Sequence, residues 1–340
     1  MKRLLNTLYV TTEGAWLRKE GTNVVVQLEG ETLGRAPIHL LGALVCFGRV
    51  SASPALLGYC AEQGVSVTFL SDSGRFLARV EGPCSGNVLL RRAQHRASET
   101  AAAGLPVAQA FVAAKASNQR SVLRRALRDH GPDDALEDAA RNLAGTARKA
   151  LACNDPDVLR GLEGEAAQGY FSVFDRLIRR QEAGLRFKGR SRRPPLDPPN
   201  ALLSFLYVLL ASDCRAALET QSLDPQMGFL HRDRPGRPSL ALDLMEEFRA
   251  PLADRLVLSL LNRGQLGPEA FQSLEGGAVL LQEEARKAVL AAWQERKKES
   301  LRHPFLGESL PFGLAIQVQA QLLARHLRGD LDAYPAFIWN

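Results

Sequence analysis

The chain has 340 residues, of which 46% are hydrophobic and 24% charged, with a formal net charge of +6. These are the proportions of an ordinary globular protein, long enough for two domains or one large one, and mildly basic in a way that favours an anionic partner without identifying it. Cys46, Cys60, Cys84, Cys153 and Cys214 form no C-x-x-C pair and no zinc-finger spacing with histidine, which excludes a disulfide framework and leaves small buried hydrophobes in a reducing compartment.

The opening Met-Lys-Arg-Leu-Leu-Asn-Thr-Leu-Tyr-Val has no sustained apolar core and no small-residue cleavage site, so no signal peptide is expected. Residues 1–82 read as a β-sheet domain. Short β-rich runs at 4–10, 15–18, 23–28 and 31–37 are separated by Glu-Gly turns, which predicts a meander. A helix at 54–63 and two further strands, 65–70 and 75–80, joined by Ser71-Asp72-Ser73-Gly74, complete it.

The stretch 83–87, Pro-Cys-Ser-Gly-Asn, reads as a linker, and from Val88 to the end at 340 the text changes to Ala, Leu, Arg and Glu at helical spacing. The expected fold class is therefore α+β, a small N-terminal β-sheet domain followed by a larger all-α domain. Helices are expected within 88–128 and 134–152, then near 200–220, 243–262, 268–273, 278–302 and 311–328. The longest apolar run, Ala201 to Ala211, falls short of the ~20 residues that span a bilayer, so a cytoplasmic protein with no membrane partner is expected.

Asn154-Asp155-Pro156-Asp157 is a helix-start signal, and the helix it opens carries the most informative residue in the chain. Leu159, Leu162, Ala166, Tyr170, Phe171 and Phe174 form one apolar arc at about 100° per residue, and Glu163 lies in the middle of it. An inward carboxylate costs several kcal/mol unless a cation or a donor network offsets it, so Glu163 needs a partner. That partner is either an arginine in a buried ion pair or something functional. Gly161, Gly164 and Gly169 are expected to let a second element approach closely.

Arg186 to Arg193 then carries five cations in eight residues with no acid, before a Pro-rich exit at 194–200. Such density suits phosphate contacts by Lys188, Arg190, Arg192 and Arg193, or else a solvated mobile loop. At 228–248, Gly-Phe-Leu-His231 is followed by a Pro-Gly-Arg-Pro turn and a helix in which Asp243 and Glu246 are three apart on one face. Two carboxylates and an imidazole, Glu163, Glu246 and His231, suit Mg2+ or Mn2+, and Arg232, Arg234 and Arg237 would lie beside a polyanion. With no thiol nearby in sequence, a structural zinc site is not expected.

At Leu159-Arg-Gly-Leu-Glu-Gly-Glu-Ala-Ala, Asp197-Pro-Pro-Asn-Ala-Leu-Leu-Ser-Phe-Leu-Tyr, Gly228-Phe-Leu-His and Leu242-Asp-Leu-Met-Glu-Glu-Phe-Arg the chain resembles the CRISPR-associated integrases of spacer acquisition. The resemblance spans nearly the whole chain. Its basic loop and the closing Pro335-Ala-Phe-Ile-Trp339 resemble the subtype I-C branch. The resemblance implies Glu163, His231 and Glu246 as catalytic metal ligands, with Glu246 where many members have Asp, and Asp243 as an auxiliary or supporting acid. It further implies a homodimer formed through the β-rich domain, a small ferredoxin-like companion protein, and double-stranded DNA as partner, both the donor duplex and the CRISPR repeat. The implied reaction is attack of a donor 3′-hydroxyl on a phosphodiester, with hydrolysis when water attacks instead. A branched-DNA repair nuclease, and a non-catalytic duplex-binding scaffold with Glu163 held by an arginine, compete for the same residues.

Overall fold

The computed structural model describes residues 6–72, 74–80, 82, 87–180 and 182–339. Of the predicted 83–87 linker only Asn87 lies within them; Cys84, Ser73 of the predicted hairpin turn, and Met1 to Leu5, on which part of the signal-peptide reading rests, lie outside the described residues.

The chain divides into two units, one of Met1–Gly86 with Arg286–Lys298, the other of Asn87–Ala285 with Glu299–Asn340. In the first, β2 (Trp16–Glu20), β3 (Asn23–Leu28) and β4 (Glu31–Pro37) form the expected antiparallel meander. The β3–β4 turn places Glu29 at φ 51° and Gly30 at φ 88°, the paired left-handed conformation that matches the twist of a two-residue hairpin. Five further strands depart from a meander. β1 (Thr7–Val10), β5 (Ala43–Phe47) and β7 (Ser66–Leu70) pair in parallel, β8 (Phe76–Val80) closes that sheet antiparallel, and β6 (Ser51–Ala52) adds to the first sheet beside β2. Parallel pairing needs a crossover, which α1 (Pro54–Glu62) supplies between β5 and β7. The continuous apolar run Leu44 to Phe47 suits a strand covered on both faces. Cys46 and Cys60 sit in this core, and burial pushes their thiols up to about 12 and about 11, as expected of inert packing residues.

The second unit is mainly helical. Its helices are α2 (Val88–Glu99), α3 (Ala101–His130), α4 (Asp134–Leu151), α5 (Pro156–Ser172), α6 (Pro198–Thr220), α7 (Ser239–Glu246) and α8 (Arg255–Asn262), then α10 (Phe312–Leu327) after α9 (Glu283–Lys298). It is not all-α. Of the helices expected at 268–273 and 278–302, the first is only a 3-10 turn at Pro268–Ala270 that runs into β9 (Phe271–Ser273), which pairs with β10 (Val279–Leu281), and β11 (Ser300–Arg302) at the end of the second pairs with β12 (Ser309–Pro311). Within 278–302 only α9 is helical, and its residues 286–298 belong to the sheet unit, where Gln294 Nε2 donates to the Thr7 carbonyl at 3.1 Å and Trp293 is fully buried.

The expected 243–262 helix is broken. Pro251 cannot donate to the helical ladder, and Arg249–Asp254 forms a π turn between α7 and α8. α6 is long and apolar enough, by length and composition alone, to cross a membrane; it carries Asp213, Arg215 and Glu219 and buries Asn200, Leu202, Leu206 and Leu210 within its own unit. The apolar tail does not hang free, since Tyr334 and Phe337 are buried in the helical unit.

Candidate active site

Asp155 caps α5 by accepting from the backbone N–H groups of Asp157 and Val158 at 2.7 and 3.2 Å, with Pro156 at the first helical position, as the sequence signal requires. Leu159, Ala166 and Tyr170 bury one face of the helix. Glu163 lies at the margin of that face with its side chain 25% exposed, and it is bound by Lys115 of α3. The partner that the inward carboxylate demanded is therefore a lysine. Gly161, Gly164 and Gly169 do not face a tightly packed element; a Cβ at any of them would meet nothing within 4 Å, so this side of α5 is open.

The same ammonium, only 5% exposed, lies 2.9 Å from Oε2 of Glu246, whose side chain is 1% exposed. Arg249, one turn further on, holds Glu246 Oε1 at 3.0 Å. Burial by itself would raise the Glu246 carboxyl; Arg249, Lys115 and His231 outweigh it and hold the group well below the ordinary carboxylate range. Glu246 is thus ionised at neutral pH. Oε2 is buried, with the Lys115 ammonium as its partner.

Asp243 organises the other side. Its Oδ2 accepts from the N–H groups of Phe229 and Leu230 at 2.7 and 3.0 Å, and its Oδ1 accepts from His231 N–H at 3.0 Å and pairs with His231 Nδ1 at 2.5 Å. Fully buried and fully used, Asp243 supports the histidine loop and orients the imidazole through Nδ1, which leaves Nε2 as the other ring nitrogen. Gly228 is required here, because a Cβ would come within 2.8 Å of both Asp243 Oδ2 and Ser239 Cβ. Among the described residues no three His, Cys, Asp or Glu side chains form a ready-made cation cage. Glu163 and Glu246 converge on an ammonium, and His231 turns to Asp243.

The basic loop is ordered. Asp175 binds Arg186 and accepts from Phe187 N–H at 2.8 Å, while Asn200 Oδ1 accepts from Arg190 at 2.7 Å and from Ser191 N–H at 3.1 Å. Arg190 points inward, 5.4 Å over the Tyr207 ring, so of the four cations proposed for DNA only Lys188, Arg192 and Arg193 are exposed. Arg232 is tied to Asp157, Arg234 is exposed and Arg237 is half-buried. Sequence reasoning missed Lys115 and Arg249. The signal for Lys115 was its place with Phe111, Asn118 and Val122 on one buried face of α3, the same anomaly that exposed Glu163.

The π turn adds a titrating group. Tyr207 Oη donates to Asp254 Oδ1 at 2.6 Å, yet burial pushes this carboxyl up from 3.8 to about 6. A raised acid stabilises the fold fully below its unfolded pKa and loses that contribution as pH rises through the folded value. Stability is expected to fall between about pH 4 and 6.5 by at most ~3 kcal/mol from this group, and Glu247, pushed up to about 7 by burial, acts in the same direction. Asp254→Asn should flatten the decline relative to the parent in urea unfolding at pH 4, 6 and 8; an unchanged profile would refute the assignment.

Residues 8–295 match the family model described as CRISPR associated protein Cas1. A Rhodospirillum rubrum protein named CRISPR-associated endonuclease Cas1 2 is 60% identical over the whole of both chains. Two solved structures share the fold at TM-score 0.83. They are a Cas1 protein from Thermotoga maritima, at 22% identity over 95% of this chain and 97% of its own, and a casposase bound to integration product, at 21% over 99% and 95%. By the family match over most of its length and a full-length relative at this identity, the chain belongs to the CRISPR-associated Cas1 endonuclease family.

Proposed function

We propose that the protein is the DNA integrase and endonuclease of CRISPR adaptation, joining the 3′-hydroxyl of a short duplex to a phosphodiester of the CRISPR array. The observation that carries this reading is the pair of acids on α5 and α7 sharing one buried ammonium beside an oriented histidine. The residues fit a divalent cation. Lys115 stands where a cation neutralises both glutamates, and two carboxylates with an imidazole form a donor set suited to Mg2+ or Mn2+. Glu163, His231 and Glu246 would hold it, and when bound it would supply Lewis-acid stabilisation of charge on phosphate oxygens.

The chain's own groups prepare the site. Asp243 holds the imidazole orientation, and Arg249 fixes Glu246 through its other oxygen. Lys115 and Arg249 offset the acids so that a phosphate meets no net wall of negative charge. The bare surface at Gly161 and Gly164 beside Glu163 leaves room for a nucleic-acid backbone. Lys188, Arg192, Arg193 and Arg234 are exposed for phosphate contacts. The casposase of the same fold, solved with an integration product, supports transesterification as the forward reaction. The same reading places the protein in the cytoplasm as a subtype I-C homodimer with a small ferredoxin-like companion protein.

Glu163→Gln is expected to reduce strand transfer into a repeat-bearing duplex in Mn2+ by at least about 100-fold, with duplex binding unchanged within a few-fold. Full activity in this variant would refute the assignment. Stronger cleavage of Holliday-type junctions than of a duplex with a repeat target would favour a repair nuclease instead.

A further inference from the structure

α3 and α4, joined by the short turn at Gly131 and Pro132, enclose a cleft of about 680 Å³ that the candidate active site does not use. Arg120, Arg124 and Arg128 recur every four residues along α3, and Arg141 and Arg148, seven apart, line the α4 side. Ala140 and Ala144 keep the α4 wall low, so the guanidinium groups stand around open space. Glu137 is the single carboxylate among the lining residues. Arg128 lies 3.1 Å from Asp129 and Arg141 lies 2.9 Å from Asp138, whereas Arg120, Arg124 and Arg148 have no acidic partner among the described residues. Five like charges held on two packed helices repel one another, and a polyanion relieves that cost.

We infer that this arginine-lined cleft is a second docking track for DNA, binding the phosphate backbone of one strand. The inference rests on the DNA-acting reading above and adds a surface to it. Arg120 to Arg128 spans about 12 Å of helix, the length over which one strand of a duplex presents roughly three to four phosphates. The planar fork of arginine suits phosphate oxygens better than a point charge does. The lining holds no aromatic ring on which a base could stack and only Leu127 as a large apolar side chain, so the cleft lacks the anchors of a protein interface. Contacts are therefore with the backbone, and binding here is independent of sequence. Arg120 is five residues beyond Lys115, rotated by about 140° around α3, which places the cleft on a different face of the helix that carries the active-site lysine.

The test is duplex binding by the full-length protein with Arg120→Gln, Arg124→Gln and Arg148→Gln combined, followed by fluorescence anisotropy from 50 to 300 mM salt. All three side chains reach the surface, and matched thermal unfolding of parent and variant shows that the fold is retained. The slope of log affinity against log salt is expected to become shallower by about two to three, equally for two unrelated duplex sequences, and to return towards the parent when the same positions are lysine. A slope and affinity equal to the parent's overturn the cleft while leaving the active-site reading intact. A parent protein that shows no salt-dependent duplex binding overturns both. Displacement of DNA by poly-glutamate as effectively as by unlabelled duplex of equal charge would assign the cleft to an acidic protein and overturn it as a DNA track.

Discussion

Replacing Lys115 by methionine is expected to cost about 3–5 kcal/mol of unfolding free energy and to make stability depend on divalent cations. The ammonium is 5% exposed and serves two carboxylates, one of them 1% exposed. Methionine fills much of the same volume but leaves Glu163 and Glu246 as like charges, with Arg249 bound to only one of them. Removing one partner from a buried cluster costs the uncompensated desolvation of those that remain. Added Mn2+ should recover much of that loss, because a ligand that binds only the folded state contributes about 2.7 kcal/mol at a hundred times its dissociation constant. In the parent the cation must first displace the lysine, so its stabilisation by the same Mn2+ concentration should be smaller. Urea unfolding at pH 7 with and without Mn2+ reads both effects. Equal cation-induced shifts in parent and variant would show that the ammonium does not occupy the cation position.

How far the sequence discloses this site follows from what each residue does. Glu163 and His231 were legible because each interrupts an apolar pattern, and the turn and cap residues around them, Asp155, Pro156 and Gly228, have local conformational reasons to be present. Lys115 interrupts such a pattern too, on a face with Phe111, Asn118 and Val122, but a single inward lysine does not reveal which distant acids it serves. The role of Asp243 was left open because a carboxylate that ligates and one that orients a histidine have the same spacing; four donors from the 228–231 loop and the His231 ring are what separate them. The β2–β4 meander was legible from its turns, each a few residues long. Parallel pairing of β1 with β5, and assignment of residues 286–298 to the sheet unit, depend on contacts between segments tens to hundreds of residues apart, which local periodicity does not encode.

Phe337→Ala is expected to cost about 3–5 kcal/mol and to lower strand transfer even where the variant remains folded. The ring is fully buried, stacked 5.0 Å from Phe248 and packed 6.1 Å from Phe312. Its backbone is bound as firmly, with Phe337 N–H donating to Glu247 Oε2 at 2.7 Å and Asn118 Nδ2 donating to the Phe337 carbonyl at 2.9 Å. Asn118 also donates to the Glu247 carbonyl at 2.7 Å and accepts from Trp339 N–H at 2.7 Å. One side chain thereby joins α3, the end of α7 and the tail. Asn118 is one turn from Lys115, and Glu247 adjoins Glu246, so the tail braces both elements that bring lysine and glutamate together. Alanine at 337 removes the packing that seats these bonds, whereas Phe337→Leu retains most of the buried area and should cost less than about 1.5 kcal/mol. Urea unfolding measures the stabilities, and strand transfer at low temperature, where all variants are folded, measures the bracing. If Phe337→Ala lies within 1 kcal/mol of the parent, the tail does not brace the site. If activity alone falls while stability holds, the tail acts by contact with a partner, and the helix-to-helix tie through Asn118 is incidental to catalysis.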